Sequence, residues 1–339
     1  MTVLGISAGN GVNLFPFKDL VVGNLELRSD YTIRGEADQF YLNFPQAFFQ
    51  KRLLSKQELF QMPDIIIGNP KCGNSSKLAL SRGKKFKSHK DEPSLDLFIE
   101  GVNLYQPKVF MMENLPKLLE TYDLQDNNNI FPNYSLQTWI GSMAELGNSQ
   151  QNRQRLIVTG VHKQYFTFKQ RIRLVSQLKK KFRISGRAPK NTSELLIDLP
   201  ENGSFRPPLS EVIALYGGTK SSYSGIQKLW ESLGPTVSRI KTPKESFNTA
   251  PGVYRDLNSK LPNTIRKSNR CFNPTGLSYT PRERCRIQGI PDNFLILDDE
   301  DYSDKTLFNK GCTTAGSSPS YEVGLWFYEA LKRANIITS

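Results

Sequence analysis

MPDIIIGNPKCGNSS, residues Met62 to Ser76, passes from a turn through the triplet Ile65-Ile66-Ile67 into a glycine-bounded loop that carries a lone cysteine, Cys72. Three consecutive β-branched residues with no polar alternation read as a strand buried on both faces, the pattern of a parallel sheet covered by helices. Loops at the carboxyl ends of such strands are where ligands bind. A thiol in that loop can be an inert small hydrophobe, a metal ligand or a nucleophile, so Cys72 is read together with what else arrives at the same edge.

The rhythm continues on both sides. VLGIS (3–7), DLVVGNLEL (19–27), the periodic LDLFIEGVNL (95–104), KVFMMEN (108–114), LQTWIGSMAEL (136–146) and RLIVTGV (155–161) alternate short apolar runs with helix-like stretches. The expected fold is α/β, a Rossmann-like doubly wound, mostly parallel sheet, with a smaller and irregular domain beside it. The expected boundaries are residues 1–162 for the first domain, 163–275 for the second, and 276–339 for helices that return to the first. PRERCRIQGIPDNF (281–294) and VGLWFYEALKRA (323–334) supply those helices.

At 339 residues the chain can bury a large core, and its 45 Lys and Arg against 32 acidic residues leave a charge of +13. That excess points to a polyanionic partner. No apolar run approaches the ~20 residues of a membrane-spanning helix, so nucleic acid is favoured over a membrane surface. The cysteines Cys72, Cys271, Cys285 and Cys312 are far apart and the histidines number two, which argues against structural zinc and against a disulfide framework. MTVLGISAGN lacks a charged leader, and a cytoplasmic, reducing setting is expected.

Positive charge is concentrated in two places. Lys163 to Lys190 holds ten Lys or Arg and no acid, interleaved with Tyr165, Phe166, Phe168 and Phe182. Gly73 to Lys90 holds six and no acid. Cations mixed with aromatics suit phosphates and bases, although a solvated charged face has the same composition. Lys77, Arg82, Lys84, Lys85, Lys179, Lys180, Lys181 and Arg183 are the candidate DNA contacts from these stretches.

The chemistry-bearing residues follow the strands. Ser7-Ala8-Gly9-Asn10-Gly11 ends the first strand with glycines that let a cofactor approach the backbone, and Glu26 ends the next, where a nucleotide-binding fold places a ribose-binding carboxylate. Glu113 and Asn114 end the run Val109 to Met112, where a glutamate can act on a substrate or cap a helix. Gln151-Asn152-Arg153-Gln154-Arg155 brings two arginines to the sheet. A nucleophile, a carboxyl group and fixed cations at one edge form a catalytic constellation.

In these motifs and their order the chain resembles the DNA cytosine-5 methyltransferases from end to end. Ser7 to Gly11 is similar to the family's FxGxG cofactor loop, Gly68 to Ser76 to its GxPPCQxxS loop, Glu113-Asn114-Leu115 to ENV, and Gln151 to Arg155 to QxRxR. TPRERCRIQGIPDNF, Thr280 to Phe294, is close to TxRExARLQGFPxxF and is the most specific of the matches. The resemblance implies transfer of a methyl group from S-adenosylmethionine to carbon 5 of a cytosine flipped out of double-stranded DNA. Cys72 would add to carbon 6, with Glu113, Arg153 and Arg155 around the base. It also implies cofactor contacts from Pro70, Leu97 and Cys312 and a DNA contact from Gln288. The protein is expected to be a monomer, and a cognate restriction nuclease cannot be deduced from the chain.

Departures from the pattern keep two alternatives open. Lys71 stands where the family has proline and Gly73 where it has glutamine; Gly5 and Ser7 replace acidic and aromatic residues; Gly311-Cys312-Thr313-Thr314 takes the place of GNAV. A non-catalytic DNA-binding relative, or one that transfers a different group, fits the same sequence.

Overall fold

The computed structural model describes residues 1–27, 36–71, 93–120, 130–147, 153–180, 184, 280–296 and 305–337. By their contacts the residues form two compact units. One comprises Met1–Gly147, Arg153–Gly186 and Pro319–Ser339, the other Asn148–Asn152 and Arg187–Ser318.

The first unit is built on a seven-stranded sheet of β1 (Val3–Ile6), β2 (Val21–Leu25), β3 (Phe48–Gln50), β4 (Ile65–Gly68), β5 (Val109–Asn114), β6 (Tyr134–Ser142) and β7 (Gln154–His162), in the order β3-β2-β1-β4-β5-β7-β6. The first five strands pair in parallel, and β7 enters antiparallel to both β5 and β6. The mostly parallel α/β fold read from the sequence is therefore present. Ile65, Ile66 and Ile67 are fully buried, which is why their run carries no polar alternation. The chain order reverses between β1 and β4, so the loops leaving those two strands diverge around a crevice at their carboxyl ends.

The helices of this unit are α1 (Glu36–Asn43), α2 (Pro93–Tyr105), α3 (Met143–Leu146), α4 (Phe168–Leu178) and the last helix of the chain, Tyr321–Arg333. On one side of the sheet, Phe98, Phe110, Phe131 and Tyr134 make a chain of buried rings with centroids 4.7 to 5.9 Å apart. The stretch Lys163 to Lys180, read as irregular, contains α4. Its start is set by a capping box in which Thr167 and Gln170 satisfy each other's backbone N–H groups. Leu174 and Leu178 supply its buried face.

In the second unit the described residues form α5 (Pro281–Ile287) and α6 (Lys305–Ser317). Thr280 and Glu283 cap α5 reciprocally. Its end is a Schellman turn: Gly289 takes φ 76°, and the N–H groups of Gly289 and Ile290 donate to Arg286 and Cys285 at 3.0 and 2.9 Å. Numbered in chain order after these, the last helix is α7. Of the expected second domain, which the resemblance makes the DNA-recognition domain, residues 181–183 and 185–275 lie outside the described residues, Cys271 among them.

α7 returns to the first unit and lies along the 3-10 segment Val12–Leu20, where Phe17 meets Phe327 and Tyr328 with ring centroids at 6.0 and 5.1 Å. Gly324 makes the approach: a Cβ there would stand 2.1 Å from the Asn13 carbonyl oxygen, a backbone atom that cannot swing away. Gly324→Ala is therefore expected to lower the thermal midpoint by a destabilisation of about 1–3 kcal/mol. Alanine's helix propensity would by itself add roughly 1 kcal/mol, so a raised midpoint would show that α7 is not pressed onto Asn13.

At the opposite end of β7, His162 is buried, with its Nδ1 accepting the Gln164 N–H at 3.2 Å and its Nε2 3.0 Å from Gln106 Oε1. Burial lowers its pKa below the ordinary 6.5. The unfolded chain then takes up a proton below pH 6.5 that folded His162 resists, so stability falls as pH drops through that window. Urea unfolding of the wild type from about pH 7.5 to 5.5 should show this decline, and His162→Gln should remove most of it. Equal slopes in the two proteins would mean that other groups carry it.

Candidate active site

At the switch point, the loop after β1 is held by the strands on both sides. The Ser7 N–H donates to Leu25 O at 2.8 Å, and the Asn69 N–H, just past β4, donates to Ser7 O at 3.1 Å. Ser7 has φ 55°, unusual for a residue with a side chain, while Gly9 and Gly11 follow at 60° and 81°. The turn brings bare backbone to the crevice and aims the Gly9 N–H at Glu26 Oε2, 3.1 Å away. Asn24 clasps the loop from behind, accepting from the Ala8 N–H at 3.4 Å and donating to Gly9 O at 3.1 Å. Glu26 is 4% exposed.

The approach to Cys72 is anchored up to its neighbour. The Lys71 N–H donates to Ser94 Oγ at 2.9 Å, the Ser94 carbonyl accepts from Ser7 Oγ at 3.2 Å, and Asn114 Nδ2 donates to Pro70 O at 3.2 Å. Ser94, at the start of α2, thus ties together the two loops that leave β1 and β4. Cys72 itself lies outside the described residues, as do Lys77, Arg82, Lys84 and Lys85.

Glu113 ends β5 fully buried. Its Oε1 accepts from Arg155 Nε at 3.1 Å and from Ser320 Oγ at 3.0 Å, and its Oε2 accepts the Ser320 backbone N–H at 2.9 Å. Arg155 is placed by the antiparallel register, in which Glu113 faces Ile157 and Asn114 faces Leu156. Arg153 is 8% exposed, and its carbonyl accepts the Met143 N–H at 3.3 Å, fixing the start of α3. Of the carboxyl group and two cations read from the sequence, Glu113 and Arg155 are thus in direct contact. The helix that Glu113 reaches is α7, through its N-cap Ser320 207 residues later in the chain, and not the one directly after β5.

Other expected contacts are placed as follows. Leu97 belongs to the packed core of α2, 3% exposed. Cys312 is fully buried and sits within α6, so the stretch aligned with GNAV is helical. Gln288 is 4% exposed, its amide nitrogen donating to Ala315 O. Lys179 and Lys180 are exposed and, with Arg171 and Ile172, line an open groove of about 600 Å³ against Ser135 and Gln137 of β6. Lys181 and Arg183 lie outside the described residues. Among the described residues no group of His, Cys, Asp and Glu could hold a metal ion, and no helix is long and apolar enough to cross a membrane.

The profile of the C-5 cytosine-specific DNA methylases matches residues 29–307. The chain belongs to that family. Among solved structures, a protein assigned as a DNA modification methyltransferase and encoded within an E. coli prophage superposes with a TM-score of 0.63 at 18% identity, covering 98% of both chains. The Entamoeba histolytica methyltransferase EhMeth gives 0.62 at 15% identity over 98% of this chain and 97% of its own. The Schizosaccharomyces pombe Dnmt2 methyltransferase gives 0.58 at 12% identity with the same coverage. No curated protein sequence matches.

Two serines of this methylase were missed in the sequence. Ser94 is visible in hindsight only as a hydroxyl in the first turn of a helix, and Ser320 as the residue before one. The Arg155–Glu113 contact also has a measurable structural share. Arg155→Met would leave Glu113 with the Ser320 donors and without its cation, and should cost about 1–3 kcal/mol of stability in urea denaturation. Unchanged stability would mean that the ion pair contributes nothing to the fold.

Proposed function

We propose that this methylase transfers a methyl group from S-adenosylmethionine to carbon 5 of a cytosine flipped out of duplex DNA, with Cys72 as nucleophile. The observation that carries the proposal is the convergence at one sheet edge: Glu113 beside Arg155, and the anchored Pro70-Lys71 backbone leading directly to Cys72. Carbon 5 is a poor nucleophile. Addition of the thiolate to carbon 6 forms the S–C6 bond and pushes the ring's electrons toward carbon 5, while N3 gains a proton shared with Glu113. Once carbon 5 carries the methyl group, whose bond to the donor sulfur breaks with the electron pair left on that sulfur, loss of the carbon 5 hydrogen to a base as a proton returns electrons to the ring. The S–C6 bond then breaks, freeing the Cys72 thiolate, and the N3 proton goes back to Glu113. Arg153 and Arg155 neutralise charge as it develops.

The loop Ser7–Gly11 fits the cofactor, because left-handed glycines leave its backbone open and a buried carboxylate, Glu26, ends the neighbouring strand. Those residues and Pro70 would hold it. When bound, S-adenosylmethionine supplies an electrophilic methyl group.

Lys77, Arg82, Lys84 and Lys85, and Lys179, Lys180, Lys181 and Arg183, would neutralise phosphates on either side of the flipped base. Residues within the expected recognition domain, 163–275, would read the sequence. Similarity to a prophage-encoded protein is consistent with a DNA-modification role in a prokaryotic or phage setting.

Incubation with duplex DNA and S-adenosylmethionine, followed by nucleoside mass spectrometry, should yield 5-methylcytosine. Cys72→Ser should yield none and should form no covalent adduct with DNA containing 5-fluorocytosine, while still binding duplex. An adduct in Cys72→Ser would overturn the assignment. A different added mass would favour transfer of another group, and duplex binding without any product would favour the non-catalytic relative that Ser7 and Lys71 suggest.

A further inference from the structure

Glu113 is the carboxyl group on which the proposed reaction depends, yet two of its three hydrogen bonds come from a residue outside every motif, Ser320. Ser320 is itself 4% exposed and is the N-cap of α7, with φ −82° and ψ 120°. Its backbone N–H reaches Glu113 Oε2 at 2.9 Å and its hydroxyl reaches Oε1 at 3.0 Å. A helix N-cap often uses its side chain to bond its own helix. The Ser320 hydroxyl makes no such cap bond and is spent on the strand.

The geometry has a chemical consequence. A carboxylate offers roughly four acceptor sites, two on each oxygen. Ser320 Oγ and Arg155 Nε fill Oε1, and the Ser320 N–H takes one site on Oε2. One site on Oε2 is left for the base, and it is there that the proton shared with N3 would be held. Gripping both oxygens from a single residue also fixes the rotation of the carboxyl plane, which one donor could not do.

We propose that Ser320 is a positioning residue of this active site: by holding both carboxylate oxygens of Glu113, it sets the orientation in which Oε2 meets the base. The inference rests on the role given to Glu113 above. The hydroxyl is the part that substitution can remove, because the N–H remains whatever the side chain.

The test is methyl transfer by the full chain with duplex DNA, measured for wild type, Ser320→Ala, Ser320→Thr, Glu113→Gln and the Ser320→Ala/Glu113→Gln double variant. Loss of one hydrogen bond to a charged group should lower kcat in Ser320→Ala roughly ten- to a hundredfold. DNA affinity and KM should change little, and Ser320→Thr should recover most of the rate. In the Glu113→Gln background the same substitution should have no further effect beyond about twofold. Wild-type rates in Ser320→Ala, an equal loss in both backgrounds, or a loss confined to KM would each overturn the role of Ser320 while leaving that of Glu113 standing. A wild type that transfers nothing would overturn both. Should Ser320→Ala fail to fold, Ser320→Thr, Ser320→Cys and Ser320→Gly provide a graded series, and a kcat that does not follow the donor strength of the side chain would count against the proposal.

Discussion

A carboxylate removed from water has to be repaid in hydrogen bonds, and Glu113 draws its donors from far along the chain. Arg155 lies 42 residues on and Ser320 lies 207 residues on. An unpaired buried carboxylate costs several kcal/mol, so the end of the chain must be docked before β5 is comfortable. The docking surface is correspondingly close. Gly324 touches the Asn13 backbone, Trp326 stands edge-on to Trp139 at 5.0 Å, and its indole N–H donates to Lys180 O at 2.9 Å. The site and the closure of the first unit are the same set of contacts.

The crevice has a comparable economy. Ser94 and Asn114 hold the backbone of Lys71 and Pro70, while Ser7 and Asn69 join the loops of β1 and β4. Every one of these bonds ends on main chain or on a short polar side chain. The bonds of Ser7 and Asn69 need only strands in register, whereas those on Lys71 and Pro70 need the hydroxyl of Ser94 and the amide of Asn114.

What could be read from the chain follows from how local each signal is. Ile65 to Ile67 and Val109 to Met112 declare buried strands by composition, and Thr280-Pro281-Arg282-Glu283 declares a capped helix by spacing. α4 carries the same kind of local signal in Thr167 and Gln170, but ten cations and four aromatics in its neighbourhood drew the reading toward an irregular, nucleic-acid-binding stretch. The antiparallel entry of β7 has no local signature, since its run is as apolar as a parallel strand and its direction depends on where the preceding chain stands. Ser320 was beyond reach for a stronger reason. A serine before a helix is an ordinary cap, and only the folded register puts it on a glutamate from another element. Gly311 to Thr314, set against GNAV as a departure from the family pattern, lies in mid-helix, which residue types alone did not signal.

The direction of β7 also places the basic stretch that follows it. Because Val109 pairs with Val161 and Asn114 with Leu156, β7 carries the chain away from the Glu113 edge to the opposite end of the sheet, roughly 17 Å along a strand of this length. Lys163 and Arg171 begin there, joined by the bond from Arg171 Nη1 to Lys163 O at 3.0 Å. α4 then runs back, and its end is tied to the other edge, where Lys180 O meets Trp326 and the Ile184 N–H meets Leu146 O at 2.7 Å. One run of cations in the sequence is thus wound onto a helix, and Arg171, Lys179 and Lys180 line one groove against Ser135 and Gln137 of β6. Ser135 and Gln137 pair with Val161 and Thr159, so that groove lies along the part of β7 away from Glu113 and Arg155. A charge count over the whole stretch therefore overstates what can act directly at the Glu113 edge.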